Sequence, residues 1–322
     1  MPRKTLLALF LLLGACVPAG VPVATHTPPV FTPVPTQTQP ALESSSQLAT
    51  VPPTSPAPTR PAGTKPASTQ PSPQLATRSP LDWQKWPVIP AVTPASREIY
   101  ARGQMLGNDP HAFIKIGDCE TYSDWYLKDF DSENYTLGDD YAVLEEVIET
   151  FHGSYSRASL AAKSGFNAAA VLSPFWTDRK QCDASETPLG CELRIMQPAY
   201  ALVSLGTNDV FDEKKFEVNL RAVLDTLIDQ GVVPILSTKA DNLEGDHAIN
   251  QVIANLAAEY DLPLWNFWRA VQTLPDKGLQ EDKSHLTWAP NRLDDALVLT
   301  RAWPQRNLGA LLTLDALWRA LE

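Results

Sequence analysis

Cysteine is scarce in this chain, with 4 among 322 residues. No Cys-x-x-Cys spacing occurs and no pair of histidines accompanies them, so the ligand pattern of a structural zinc site is missing. Positive charge is also short. Lys and Arg number 26 against 37 Asp and Glu, a formal net charge of −11. Residues 1–80 carry +4 (Arg3, Lys4, Arg60, Lys65 and Arg78 against Glu43), so residues 81–322 carry −15. A domain this acidic is a poor match for nucleic acid or for an anionic membrane surface. Long hydrophobic runs are lacking too. The apolar run over residues 6–13 is too short for a stable transmembrane helix. Nothing in the sequence implies a metal or an organic cofactor.

Proline is plentiful but unevenly placed, with more than half of the 29 in the first 80 residues. Arg3 and Lys4, the apolar run and then Gly14-Ala15-Cys16 have the layout of an export signal. Leu13-Gly14-Ala15-Cys16 resembles the lipobox of bacterial lipoproteins, which implies cleavage before Cys16 and lipid on that residue. Residues 1–16 are therefore expected to be a lipoprotein signal, and the chain an exported, membrane-anchored protein lying on the extracytoplasmic side. Residues 17–80 are rich in Pro, Thr, Ala, Ser and Gln, with few large apolar side chains. That composition cannot bury enough surface to offset the entropy of ordering, so it reads as a disordered, extended stalk. Residues 81–322 remain for folding, enough for one domain with a sizeable core.

An oxidising compartment suits the remaining cysteines. Cys182 and Cys191 lie in a polar loop over residues 181–192, with Pro188 and Gly190 between them, and a disulfide there would close a small loop. Cys119 is left over.

Periodicity in the folded part alternates between strand and helix. Residues 111–116 read as a first strand ending in Gly117-Asp118, and residues 200–205 as a second ending at Gly206. Residues 232–236 give a third strand and residues 262–267 a fourth. Residues 139–151 have helical spacing with Val143, Leu144, Val147, Ile148 and Phe151 on one face. Another helix starts at Asp212 and stops at Gly231, with Phe216, Leu220, Val223, Leu224, Leu227 and Ile228 inward. Residues 246–260 and 308–321 complete the helices. Gly107-Asn108-Asp109-Pro110 precedes the first strand as a turn. The expectation is an α/β fold: a three-layer α/β/α domain with a mainly parallel, flavodoxin-like sheet.

Four short motifs stand in order on this frame: Ile116-Gly117-Asp118-Cys119, Gly165 with Asn167, Gly206-Thr207-Asn208-Asp209, and Asp282-Lys283-Ser284-His285. Cys119 and Asn208 both follow strand ends, where open parallel sheets bind ligands. Asp282 three residues before His285 can fold back onto the imidazole, fixing its tautomer. In order and residue type the motifs resemble the SGNH (GDSL-type) hydrolases, over roughly residues 110–290. That family places a nucleophilic serine after the first Gly-Asp pair, and here the position is Cys119. The resemblance implies Cys119 as nucleophile, His285 as general base and acid, and Asp282 as its orienting carboxylate. The Cys119 N–H, the Gly165 N–H and the Asn208 side-chain amide would form the oxyanion hole, with Asp118 and Gly206 in support. It also implies an acyl- or acetyl-ester substrate, small or carbohydrate, with no metal. The cysteine keeps three readings open: an ester hydrolase with a thiol nucleophile, a catalytically inactive surface binding module retaining the cleft, or an O-acyltransferase. Tyr122, Trp125, Tyr126 and Phe130, just after Cys119, could line a substrate subsite or belong to the core.

Overall fold

A computed structural model describes residues 79–322. The export signal, Cys16 and nearly all of the stalk lie outside the described residues.

The first helix, α1 (Pro94–Leu106), is announced by local chemistry rather than by apolar spacing. The Thr93 hydroxyl accepts from the Ser96 N–H while Ser96 Oγ accepts from the Thr93 N–H, a reciprocal capping box with Pro94 in the first turn. Its buried face is Ser96, Ile99 and Gly103. That small-residue face escapes a search for hydrophobic periodicity, and the helix was absent from the sequence-based expectation. Gly107, at φ 88°, closes it. Strand β1 (Asp109–Gly117) follows, then the single-turn helix α2 (Cys119–Tyr122), α3 (Glu145–Thr150) and α4 (Pro188–Met196). Then come β2 (Pro198–Ser204), α5 (Glu213–Asp229), β3 (Val233–Ser237) and α6 (Ala248–Glu259). The chain ends with β4 (Leu264–Trp265), α7 (Phe267–Val271) and α8 (Ala302–Leu321).

All four strands pair in parallel in the order β1-β2-β3-β4. Both β2 and β3 are buried almost end to end, as strands covered on both faces must be. Helices α1, α5 and α6 pack against β3, α4 against β1 and α8 against β4. The outer edge of β1 carries one more partner, a parallel bridge between Gly117 and Ala162. Counting that bridge as a vestigial strand, the order becomes the doubly wound 2-1-3-4-5. The topological switch point then lies where β1 has neighbours on either side, at Gly117 and Ser204.

Several expectations need correction. The helix expected over residues 139–151 is a 3-10 turn, Asp139–Leu144, followed by α3, and Val143 points outward at 61% exposure. Leu144, Val147, Ile148 and Phe151 are buried as expected. The fourth strand pairs over only two residues because Asn266 turns the chain into α7, its side chain accepting from the Arg269 N–H. Residues 181–192 are not all loop. The Thr187 hydroxyl caps α4 at Gly190, and Cys191 is a buried residue of that helix. The Cys182–Cys191 disulfide is formed across this boundary.

One contact between layers depends on two glycines. A β-carbon on Gly103 of α1 would stand 2.1 Å from the Gly231 carbonyl oxygen, at the entry to β3. Gly103→Ala gains roughly 1 kcal/mol of helix propensity, but backbone must move to admit the methyl. We expect a net loss of about 1–3 kcal/mol, the usual cost of overpacking. Urea denaturation reads it, and a variant as stable as wild type would contradict the close approach.

Candidate active site

Gly117 leaves β1 under tight constraint. A β-carbon there would meet Thr121 Oγ1 at 2.2 Å and the Ser204 carbonyl at 2.6 Å. Asp118 then caps α2, its carboxylate accepting from the Glu120 N–H at 3.1 Å. Cys119 is the first residue of α2, partly exposed, and it takes no part in a disulfide. With only one turn, α2 contributes little of the dipole that a longer helix would lend a thiolate.

The second motif is placed by the edge of β1. The Gly117 N–H donates to the Ala161 carbonyl and the Lys163 N–H to the Gly117 carbonyl, which leads the chain directly into Gly165. Gly165 has φ 81°, and a β-carbon there would face open space. Its glycine is required by backbone conformation rather than by crowding. The third motif closes onto the second. The Asn208 amide donates to the Phe166 carbonyl at 2.8 Å, and the Asp209 carboxylate accepts from the Ala168 N–H at 3.2 Å. An Asn amide has two N–H donors, so this bond orients the group and leaves the second available. Gly206 adopts φ 132°, and a β-carbon there would meet Ile249 at 2.6 Å. Asn167 caps the turn behind Gly165, accepting from the Ala170 N–H.

The fourth motif sits at the tip of a tight excursion. Leu279 and Leu286 form an antiparallel bridge, the Gln280 N–H donates to the His285 carbonyl, and the Thr287 N–H donates to the Gly278 carbonyl. Lys283 turns the tip at φ 58°. His285 Nδ1 and Asp282 Oδ2 are 2.6 Å apart, and Asp282 Oδ1 accepts from the Ser284 and His285 N–H groups at 3.0 Å. Burial pushes the Asp282 carboxyl up. The hydrogen bonds from the His285 ring and from the two N–H groups outweigh it and hold the pKa down to about 2. The carboxylate is thus ionised at any working pH, and the ring's Nε2 faces away from it.

Two contacts bring this tip to the Cys119 segment. The Leu286 N–H faces the Glu120 carboxylate, one residue after Cys119. Trp125 and Trp288 meet with ring centroids 6.1 Å apart. The segments bearing the first and fourth motifs are therefore neighbours, as are those bearing the second and third.

The chain is similar to GDSL-type hydrolases of known structure. A G-D-S-L family protein from Desulfitobacterium hafniense DCB-2 is 12% identical, with 62% of this chain and 97% of that one covered and a TM-score of 0.41. A GDSL-like lipase from Bacteroides thetaiotaomicron VPI-5482 is 15% identical over 70% of this chain and 98% of that one, with a TM-score of 0.39. An acetyl xylan esterase from Geobacillus stearothermophilus is 14% identical over 60% and 92%, with a TM-score of 0.35. No family model and no curated protein matches the sequence.

Beneath the motifs lies a group of buried ionic residues that the sequence reading did not single out. Arg306 of α8 donates to Glu120 Oε2 at 3.0 Å and to Thr121 Oγ1 at 3.3 Å. Lys239 pairs with Asp241 at 2.5 Å and with Glu244 at 2.6 Å, and Asp241 accepts from the Thr207 hydroxyl at 2.8 Å. Burial raises the Glu120 carboxyl to about 8 and the Asp118 carboxyl to about 6, with Arg306 pulling both back down. Asp209 is likewise raised to about 6 by burial, against its bond from the Ala168 N–H. The available signal was Ser237-Thr238-Lys239-Ala240-Asp241, charged residues placed directly after a buried strand. The Arg306 contact had none, because it joins positions 186 apart.

Among the described residues, Cys182, Glu186 and Cys191 cluster closely enough to suggest a metal site. The two sulfurs are bonded to each other, so they are not free to ligate.

Proposed function

We propose that this chain is an SGNH-type ester hydrolase in which a cysteine has taken the nucleophile's place. The observation that carries the reading is the Asp282–His285 pair. A carboxylate held ionised, bonded to Nδ1 at 2.6 Å, leaves Nε2 as the proton acceptor. In the proposed cycle the Cys119 thiol gives its proton to Nε2 as sulfur adds to the ester carbonyl. The Cys119 N–H, the Gly165 N–H and the second Asn208 N–H hold the oxyanion. Collapse expels the alcohol, which takes the proton from Nε2, and leaves a thioester. Water, deprotonated by Nε2, then cleaves the thioester to release the acid and restore the thiol. No step calls for a metal or a cofactor.

Substrates in this reading are acyl or acetyl esters reachable from the cell surface, including esters on carbohydrate. Anchoring through lipid on Cys16, with residues 17–80 as a spacer, belongs to the same proposal. More than one acyl chain would make the attachment durable.

Alkylation of Cys119 by iodoacetamide tests the pairing without a substrate. An isolated thiol has a pKa near 8.5, whereas one beside an imidazolium falls to roughly 3.5–7.5. At pH 6 the wild-type thiol is expected to react about tenfold faster than in His285→Ala. Equal rates in the two proteins would sink the Cys–His pair.

A further inference from the structure

A cavity of about 320 Å³ lies beside the hairpin that carries Asp282 and His285. Leu279 and Lys283 of that hairpin line it, together with Asp276 and Lys277 just before, and His247 and Trp268 line it from elsewhere in the chain. Its size falls at the small end of the range of ligand pockets, roughly 300–1,000 Å³. The backbone around it is unusual. Among the described residues, eight that are not glycine have positive φ, and four of them line this one cavity: His247 at 60°, Asp276 at 49°, Lys277 at 56° and Lys283 at 58°. The left-handed conformation is costly for a residue with a β-carbon, and such residues gather where a fold holds side chains for a ligand. The aromatic wall is braced as well. Trp268 meets the buried Trp83 edge-on at 5.0 Å and His247 edge-on at 5.4 Å. Burial holds the His247 pKa below its ordinary value, against the pull of Glu244, so the ring is neutral near pH 7.

Charge decides what the cavity takes. Lys239, one residue before the lining Ala240, is already matched by Asp241 and Glu244. Asp246 is outside the lining and accepts from the Ala248 N–H at the start of α6. Asp276 and Lys283 stand 3.9 Å apart, too far for a direct hydrogen bond. Lys277 joins no ion pair among the described residues. Two lysines against one aspartate leave the lining with a surplus of one positive charge, within a segment, residues 81–322, that sums to −15. We propose that this cavity is a binding site for a small organic carboxylate with a flat apolar body, its anionic end between Lys277 and Lys283 and its body against Trp268 and Leu279. One surplus charge matches a monoanion and falls short of a phosphate dianion. The indole face and the leucine add contact that a bare inorganic ion cannot use. The site stands apart from the hydrolase reading, because none of its lining residues is a proposed reacting group or oxyanion donor.

Ligand-observed NMR titration of the full chain with benzoate tests the site, and turnover plays no part because benzoate carries no ester. Wild type is expected to bind with a Kd of about 1 mM or tighter, within reach of a ligand this small. Benzamide, the same ring without the charge, should bind about tenfold more weakly. Lys277→Asn should lose about tenfold for benzoate and little for benzamide. Asparagine tolerates the left-handed backbone at that position, so the fold is kept. Lys214→Asn, the same loss of charge on an exposed lysine of α5, should match wild type. Asn208→Ala should also match it, because the oxyanion donors lie outside the cavity. No saturation by about 10 mM benzoate overturns the proposal, and so does equal affinity for benzamide or an unchanged Kd in Lys277→Asn. Displacement of benzoate by an equal concentration of inorganic phosphate would make this a phosphate site and overturn it too. Loss of benzoate binding in Asn208→Ala would put the ligand among the four motifs instead. Turnover of an activated ester by Cys119→Ala would fail the hydrolase reading and leave these titrations untouched.

Discussion

Cys119→Ala is expected to lower kcat/KM for an activated short-chain ester by about 10⁴-fold or more, with the fold intact. The size of the effect follows from what alanine removes. The Asp282–His285 pair does nothing for an ester unless a nucleophile delivers a proton to Nε2. The oxyanion donors that remain can recover only the residual rate given by binding and charge stabilisation. Cys119 is partly exposed at the start of a one-turn helix, so the truncation leaves no large cavity and costs little stability. Cys119→Ser is the informative companion. A hydroxyl has no thiolate form near neutral pH, so the serine variant depends wholly on His285 as general base during attack. It should retain measurable turnover whose acid limb follows the imidazole, whereas wild type keeps part of its rate at lower pH. Steady-state kinetics on p-nitrophenyl acetate across pH 5 to 9 separates the two, and intact-mass detection of an acyl adduct on wild type but not on Cys119→Ala would locate the intermediate. An alanine variant within tenfold of wild type would remove Cys119 from the chemistry and return the cleft to the role of a binding module.

The fold was legible where the chain repeats a pattern over several residues. Buried strands such as Pro198–Ser204 and the amphipathic Glu213–Asp229 helix announce themselves, because one periodicity serves one packed face. Legibility failed where the structure rests on few residues or on distant ones. Helix Pro94–Leu106 buries Ser96, Ile99 and Gly103, and a small-residue face carries almost no hydrophobic signal. Cys191 looked like a loop residue because the polar segment around it hides the Thr187 cap that starts a helix. The single-residue bridge at Ala162, which places Gly165, is too short for any pattern. Within the site, the Asp282–His285 contact was readable because three residues of separation fix it locally. The alignment of the second motif with the third depends on an Asn208 bond to a backbone carbonyl 42 positions away, and no residue type at that carbonyl advertises it.

Arg306→Ala should cost about 3–5 kcal/mol at pH 9, where Glu120 is ionised, the cost of stripping one partner from a buried ion pair. The guanidinium is 5% exposed and meets Glu120 at 3.0 Å. It also lies 4.6 Å above the Tyr126 ring and within 6 Å of the Phe267 and Trp303 rings. Alanine therefore removes the cation, its stacking and the positive charge that draws Glu120 and Asp118 down. The pH dependence gives the mechanism a signature. Glu120 in the folded protein is raised to about 8 from an ordinary value near 4.5, mainly by burial. The folded state then binds the proton more tightly than the unfolded state does. Its contribution to stability is fully present below the ordinary value and is lost as pH rises through about 8. Wild type should weaken between pH 5 and pH 9, and Arg306→Ala should weaken more steeply because the compensating cation is gone. Glu120→Gln, which cannot ionise, should flatten the same interval. Urea denaturation at pH 5, 7 and 9 reads all three proteins. A loss below about 1 kcal/mol for Arg306→Ala would place the pair among surface-like bridges of little worth. A Glu120→Gln curve parallel to wild type would show that the pH slope originates elsewhere. Glu120 adjoins Cys119, so the same pair ties the C-terminal helix to the one-turn helix that begins at Cys119.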